Sequence, residues 1–212
     1  MFRLSALVLL AASAALAAPV PKEGKKNELY FPTAVGAKKV MQMKAGDTTR
    51  EMTEVVTKVE EKDGVYTVTT ETDQGNGVTL TNVFEVSAKG VAHRGINGQE
   101  QKTPAAVVKV GGKPGDTWET EVPGPGRASA KRTYTQGKEE EVTVPAGKYK
   151  AVRVDSEITP GAGPASKNSL WYAPGVGVVK SVVKLGNREF NTELKEFTPG
   201  KDEKKDEPKK DK

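Results

Sequence analysis

Val78-Thr79-Leu80-Thr81-Asn82-Val83-Phe84-Glu85-Val86 is the stretch on which the fold reading turns. Its apolar residues recur with period two, so Val78, Leu80, Phe84 and Val86 share one face, while the other face is mostly polar. A segment of this kind lies on a core with one side and meets water or a groove with the other. On its N-terminal side, Thr48 to Glu60 and Val65 to Thr72 are β-branched runs joined through Lys62-Asp63-Gly64, and Gln74-Gly75-Asn76-Gly77 leads onward. Asp-Gly and Asn-Gly steps supply the positive φ angles of tight hairpins, so the three runs read as a meander.

The same pattern continues to the far end of the chain. Ala105 to Val110, Thr117 to Val122, Arg127 to Thr135, Glu139 to Val144, Tyr149 to Ile158 and Ser169 to Tyr172 each suit a strand, with Pro and Gly separating most of them. Gly177 to Leu185 and Arg188 to Phe197 flank the hairpin step Gly186-Asn187. The stretches at Val122 to Gly126 and Thr159 to Pro164 are rich in Pro and Gly, cannot continue a ladder, and are expected to be exposed loops. No convincing 3.6 period follows the leader. The fold class is therefore all-β with few or no helices: a single curved antiparallel sheet of β-clam or half-barrel type, with a β-sandwich as the alternative.

The two ends differ in character from this body. Residues 1–17, MFRLSALVLLAASAALA, carry a basic Arg3, an apolar run from Leu4 and the small-residue signal Ala15-Leu16-Ala17, so they read as a signal peptide cleaved after Ala17. The apolar run falls short of the ~20 residues needed to cross a bilayer. Residues 18–27 are polar and read as a flexible segment, 28–199 as the antiparallel β domain, and 200–212 as a disordered charged tail. The tail's KDEKKDEPKKDK sets six lysines against five carboxylates with no apolar side chain to bury. The chain lacks cysteine, which excludes disulfides, thiolate metal sites and the lipidated cysteine of a bacterial lipoprotein. Export to a periplasmic or secreted location fits these features.

Of 212 residues 35% are hydrophobic, and the formal charge of +5 is interspersed along the chain without a patch suited to a phosphate backbone. Nucleic acid is excluded as a partner on that ground. His93 is the single histidine, in Val91-Ala92-His93-Arg94-Gly95, and reads as a surface residue whose charged form Arg94 disfavours. Glu139-Glu140-Glu141 reads as a solvated edge and Asp73-Gln74-Gly75-Asn76-Gly77 as a hairpin turn, not as metal sites. Gly111-Gly112-Lys113-Pro114-Gly115 reads as a turn because no helix follows it to hold an anion. No nucleophile elbow, P-loop or dinucleotide motif is present, so no catalytic residue, metal or cofactor is expected.

Trp118, Tyr134, Tyr149, Trp171 and Tyr172 gather in the C-terminal half, where a curled sheet has its concave face. They are the candidate ligand-lining set, against core packing as the plainer role.

Two segments also resemble a known pattern. Val142 to Val154, VTVPAGKYKAVRV, followed by Leu170 to Ser181, LWYAPGVGVVKS, resembles the V-P-A-G-x-[FY] … W-Y-x-P-G-V-G-x-V-K signature of uncharacterised bacterial envelope proteins. Tyr30-Phe31-Pro32 with Val35-Gly36, and Gly115-Asp116-Thr117-Trp118, match the same pattern. Such proteins are similar to periplasmic lipoprotein-carrier half-barrels of the LolA/LolB type, in which a curved sheet covers an apolar cavity. The resemblance implies a fold type, not carrier activity, because the helices that line the carriers' cavity have no counterpart here. Pro145 with Gly147, and Pro174 with Gly175 and Gly177, are architectural positions that reverse the chain.

Three functions follow in order of support. The first is a non-enzymatic exported domain that binds a lipid, another apolar or amphipathic ligand, or an envelope component. The second is a structural or protein-interaction module of the envelope acting through a sheet edge or the charged tail. The third is a carboxylate-dependent hydrolase using Asp116, Glu119 or Asp155.

Overall fold

The structure is a computed structural model that describes residues 29–123, 129–159 and 166–201. The expected signal peptide 1–17, the segment 18–27, the tail beyond Lys201 and, of the expected loops Val122–Gly126 and Thr159–Pro164, residues 124–126 and 160–164 lie outside the described residues, whereas Val122 and Pro123 end a strand and Thr159 ends another. Among the described residues there is no helix. The chain forms β1 (Lys38–Ala45), β2 (Thr48–Lys62), β3 (Val65–Asp73), β4 (Thr79–Ser87), β5 (Gly90–Ile96) and β6 (Gln99–Lys109). It continues with β7 (Thr117–Pro123), β8 (Ser129–Val144), β9 (Gly147–Thr159), β10 (Ser166–Ala173), β11 (Gly177–Leu185) and β12 (Arg188–Thr198).

All twelve strands belong to one antiparallel sheet in the order β6-β5-β4-β3-β2-β1-β12-β11-β10-β9-β8-β7. Hydrogen-bonded neighbours are sequence neighbours except where β1 meets β12, so two meanders are joined back to back at the chain's two ends. The sheet curls until β6 and β7, its edges, come together into a nearly closed barrel. This is the curved single sheet expected from the sequence rather than the alternative sandwich.

Local chemistry explains the turns. Asp63 and Gly64 have φ of 53° and 76°, and Asn97 and Gly98 have 49° and 76°, the paired left-handed geometry of two-residue hairpins. The loop at 73–77 is the hairpin turn expected, with the Asp73 carboxylate accepting from the Gly75 N–H and the Asn76 side-chain oxygen accepting from the Val78 N–H. Val78, assigned to the core face by periodicity, sits in that turn and is exposed, because β4 begins one residue later. In β4 the inner face belongs to Phe84 and Val86, the latter fully buried. Two strands had not been read from sequence: β1, with its alternating Lys and Met, and β5, which carries His93. Conversely, the described part of the expected Arg127–Thr135 strand, from Ser129 on, and Glu139–Val144 belong to one strand, β8, interrupted by a bulge between Gln136 and Glu139.

The interior core draws on both meanders. Val56, Val68, Val86, Val91 and Val108 from β2 to β6 pack with Tyr134, Val154 and Tyr172 from β8 to β10. Phe31, in the segment leading into β1, joins them and lies 4.7 Å from the Phe84 ring. Backbone bonds hold that segment, among them Gly36 N–H to the Val56 carbonyl at 2.8 Å and Gly175 N–H to the Leu29 carbonyl at 2.7 Å. Gly177 is required beside it: its φ is 84°, and a Cβ there would approach the Phe31 ring to 3.3 Å. A second core forms where the tip of the β8–β9 hairpin reaches β12 and Ala146 N–H donates to the Leu194 carbonyl at 3.0 Å. Val142, Val144, Tyr149 and Trp171 gather there with Val176, Val179 and the fully buried Leu194.

The seam between β6 and β7 carries no ladder. β6 contains Pro104, which cannot donate to a neighbour and belongs on an edge. Trp118 of β7 bridges the gap instead: its indole N–H donates to the Ala106 carbonyl of β6 at 2.8 Å, and its ring stacks on Tyr134 at 5.2 Å. The Trp118→Phe variant keeps the stack and loses the bond. It should cost about 1 kcal/mol and, more tellingly, raise amide hydrogen exchange along β6 and β7 while β1 and β12 stay protected.

Candidate functional site: the barrel interior

A cavity of about 520 Å³ opens inside the barrel. Its walls come from nearly the whole sheet, which is what places it on the inner face: Phe84 and His93 from β4 and β5, Val107 from β6, Arg132 and Tyr134 from β8, and Leu170 and Tyr172 from β10. Met41, Met52 and Val178 extend the apolar lining. Such a volume and lining match the ~300–1,000 Å³, mostly apolar clefts that take small ligands.

The five aromatic candidates divide between the two faces of the sheet. Tyr134 and Tyr172 line the cavity, and Trp118 stacks on Tyr134, its cross-strand partner. Tyr149 and Trp171 do not join them. Trp171 immediately precedes Tyr172, and Tyr149 alternates with Val152 and Val154 along β9, so both point to the opposite side of their strands. There Trp171 lies under the guanidinium of Arg153 at 5.3 Å and the ammonium of Lys180 at 5.8 Å, and its indole N–H donates to Glu140. These two side chains build the second core rather than the cavity.

His93 departs from the surface position expected for it. It lies half-buried on the inner wall, paired in register with Phe84 and edge-on to that ring at 5.3 Å. The sequence reading missed it because β5 is short and its face was not assigned. Gln101 Nε2 donates to His93 Nδ1 at 3.1 Å, leaving Nε2–H to donate to Asn82 Oδ1 at 3.2 Å, an arrangement that suits the neutral imidazole. Burial first, and then the positive charge of Arg132, hold its pKa below the ordinary value of 6.5. Arg94, thought from sequence to disfavour the charged form, turns to the other face and pairs with Glu85 at 2.9 Å.

Three further charged groups sit inside. Lys39 of β1 and Glu54 of β2 are register partners, with Nζ 2.7 Å from Oε1 and the lysine side chain 7% exposed. The contact is ionic rather than an aligned hydrogen bond, since that oxygen has no correctly angled donor. Lys39 also lies 5.2 Å from the Phe31 ring centroid. Arg132 of β8 reaches the cavity without an acidic partner among the described residues, and its buried Nε has no acceptor. Tyr172, fully buried, has its pKa pushed well above the phenol range by desolvation and by Tyr134, with Arg132 opposing, so its hydroxyl stays protonated.

Sequence reasoning passed over Lys39, Glu54, Gln101 and Arg132. Alternation carried a usable signal: Glu54 shares its face with Met52 and Val56, and Arg132 shares its face with Ala130 and Tyr134. A charge within an apolar stripe marks a polar group facing the interior.

The carboxylates considered for hydrolysis are committed to local partners, and none lines the cavity. Asp116 accepts from the Lys113 N–H and shapes the turn at 111–115, Glu119 faces Lys131, and Asp155 is held by Arg153 and Ser169. Asp155 belongs to a shallow outer groove whose charges are paired among themselves, Glu157 with Lys167 included. Among the described residues no cluster of three or more His, Asp or Glu side chains could hold a metal.

With the geometry in place, comparison with known proteins is informative about fold. The DUF3108-like family matches residues 130–183, the stretch that contains both the V-P-A-G and the W-Y-A-P-G segments. The chain is similar to a candidate exported protein with a YmcC-like fold from Bacteroides fragilis, at 15% identity and a TM-score of 0.54, over 81% of this chain and 99% of that one. It is similar also to a candidate lipoprotein from Parabacteroides distasonis, at 15% identity and a TM-score of 0.51, with coverage of 81% and 99%. No curated protein matches the sequence.

Two outcomes test the interior. Glu54→Leu alone strands a buried ammonium and should cost about 3–5 kcal/mol in urea unfolding, whereas the Lys39→Met/Glu54→Leu double variant recovers most of that loss. For His93 the folded pKa is the lower one, so stability is complete above pH ~6.5 and falls as acid protonates the unfolded state first. Between pH 7.5 and 5.5 the thermal midpoint of the wild type should drop more than that of His93→Gln.

Proposed function

We propose that this is an exported, non-enzymatic β-barrel domain that holds an apolar or amphipathic ligand in its interior without turning it over. The observation that carries the reading is the partly open cavity of about 520 Å³ on the inner face of the barrel, lined largely by Met, Phe, Leu, Val and Tyr side chains. A lean domain gains stability by filling such space, and leaving it open forgoes the dispersion contacts of its lining. The leader sequence supports export, and the two similar structures come from proteins described in the same terms, one exported and one a lipoprotein. The similarity in fold type to the LolA/LolB half-barrels belongs to the same reading.

The exterior supports a water-facing barrel. Lys58–Glu60, Lys148–Glu141 and Lys167–Glu157 are exposed ion pairs, where a membrane-spanning barrel carries an apolar band.

A neutral hydrophobic fluorophore such as N-phenyl-1-naphthylamine tests the reading directly. The purified protein should give saturable, stoichiometric enhancement, and Val107→Trp, which fills the cavity, should abolish it while the β-sheet circular-dichroism spectrum is retained. Equal enhancement by the wild type and Val107→Trp would place the dye elsewhere and remove the interior as the binding site.

A further inference from the structure

We propose that Arg132 anchors a singly charged oxyanion at the head of a single-chain ligand, the carboxylate of a fatty acid or the phosphodiester of a lysolipid. The inference rests on the reading of the interior as a ligand site and names the chemistry of what enters it.

The argument starts from charge. Lys39 and Glu54 cancel one another across β1 and β2, and His93 is held neutral between Asn82 and Gln101. Arg132 is the charge left over, because its guanidinium reaches the cavity and among the described residues no carboxylate pairs with it. Its Nε is buried with no acceptor, and the side-chain oxygen of Gln101 on the same cavity wall is likewise unpartnered. An unpaired guanidinium in apolar surroundings is unfavourable, and core side chains with that liability are ordinarily paired.

Neighbouring groups complete an anion-binding corner. Tyr134 and Tyr172 line the same cavity as Arg132, and Tyr134 shares Arg132's face of β8 two residues on. The Tyr172 hydroxyl, its pKa raised by burial, remains a protonated donor near neutral pH. A planar guanidinium presents parallel N–H donors to the two oxygens of a carboxylate or phosphodiester, and such charge-assisted bonds are the strong ones. Met41, Met52, Leu170 and Val178 line an apolar stretch of the cavity that suits an alkyl chain, beside the mutually neutralised Lys39 and Glu54. One uncompensated cation calls for one negative charge.

The experiment uses the full chain and four single-chain probes competing with N-phenyl-1-naphthylamine: palmitate, lysophosphatidylglycerol, hexadecanol and hexadecyltrimethylammonium. Palmitate or lysophosphatidylglycerol, whichever headgroup the corner fits, should bind about tenfold or more tightly than hexadecanol, with the ammonium weakest. Arg132→Gln should erase that preference while leaving hexadecanol binding unchanged, and Arg132→Lys should keep part of it. The ligand-free Arg132→Met protein should melt no lower than the wild type, the result a merely structural arginine would reverse. Equal affinity for charged and neutral probes, unaltered by Arg132→Gln, would overturn the anion anchor and leave the ligand cavity standing. Failure of all four probes to displace the dye would overturn both.

Discussion

The pairing of β1 with β12 is the constraint on which the rest of this structure depends. Each meander, β1 to β6 and β7 to β12, can form from local hairpins alone, and only the ladder from Lys38–Thr198 to Lys44–Asn191 makes them one sheet. Its ends are far apart in sequence, so loop-closure entropy opposes it until side chains reward it. The reward is visible at the register pair Met41–Leu194, where the leucine is fully buried and the hairpin tip of β8–β9 bonds to its carbonyl. The lead-in segment contributes from the same end, since Lys201 N–H donates to the Val35 carbonyl and Phe31 packs under Phe84. Without this junction there would be no shared interior, because the cavity takes its walls from both meanders.

Closure at the opposite side is of another kind. Where β1 and β12 exchange a full ladder, β6 and β7 meet through the Trp118 indole N–H and the Lys109 ammonium over the Trp118 ring. Pro104 makes this an edge, and Trp118 covers it without extending the ladder. The barrel is thus held by a ladder at one junction and by a few side chains at the other.

The interior combines features that a purely structural core avoids. Val56, Val68, Val86, Val108 and Val154 pack as any β core does, yet Lys39, Glu54, His93 and Arg132 face the same space. The first two neutralise each other, the histidine is kept uncharged by its surroundings, and the arginine is left exposed to the cavity alone. This arrangement separates the side chains that stabilise the barrel from those that give its cavity a polar end.

Much of the architecture was legible in residue order because it depends on local physics. Period-two alternation marks strands, Asp63-Gly64 and Gly186 take the left-handed angles tight hairpins need, and Pro104 cannot sit in a central ladder. The candidate site was legible only in part. Tyr134 and Tyr172 both line the cavity, whereas Trp171, one residue from Tyr172, faces the other way, and His93, read from sequence as a surface group, lies on the inner wall. The segments at 142–154 and 170–181 prove architectural, since they form the β8–β9 tip and the turn that receives Leu29. Alternation alone determines that neighbouring side chains occupy opposite faces, but not which face is inside: the two faces of an isolated strand are equivalent until distant strands cover one of them. The joining of β1 to β12, the curl of the sheet and the meeting of Arg132 with Tyr172 and His93 were decided by tertiary structure, because each depends on contacts between residues remote in the chain.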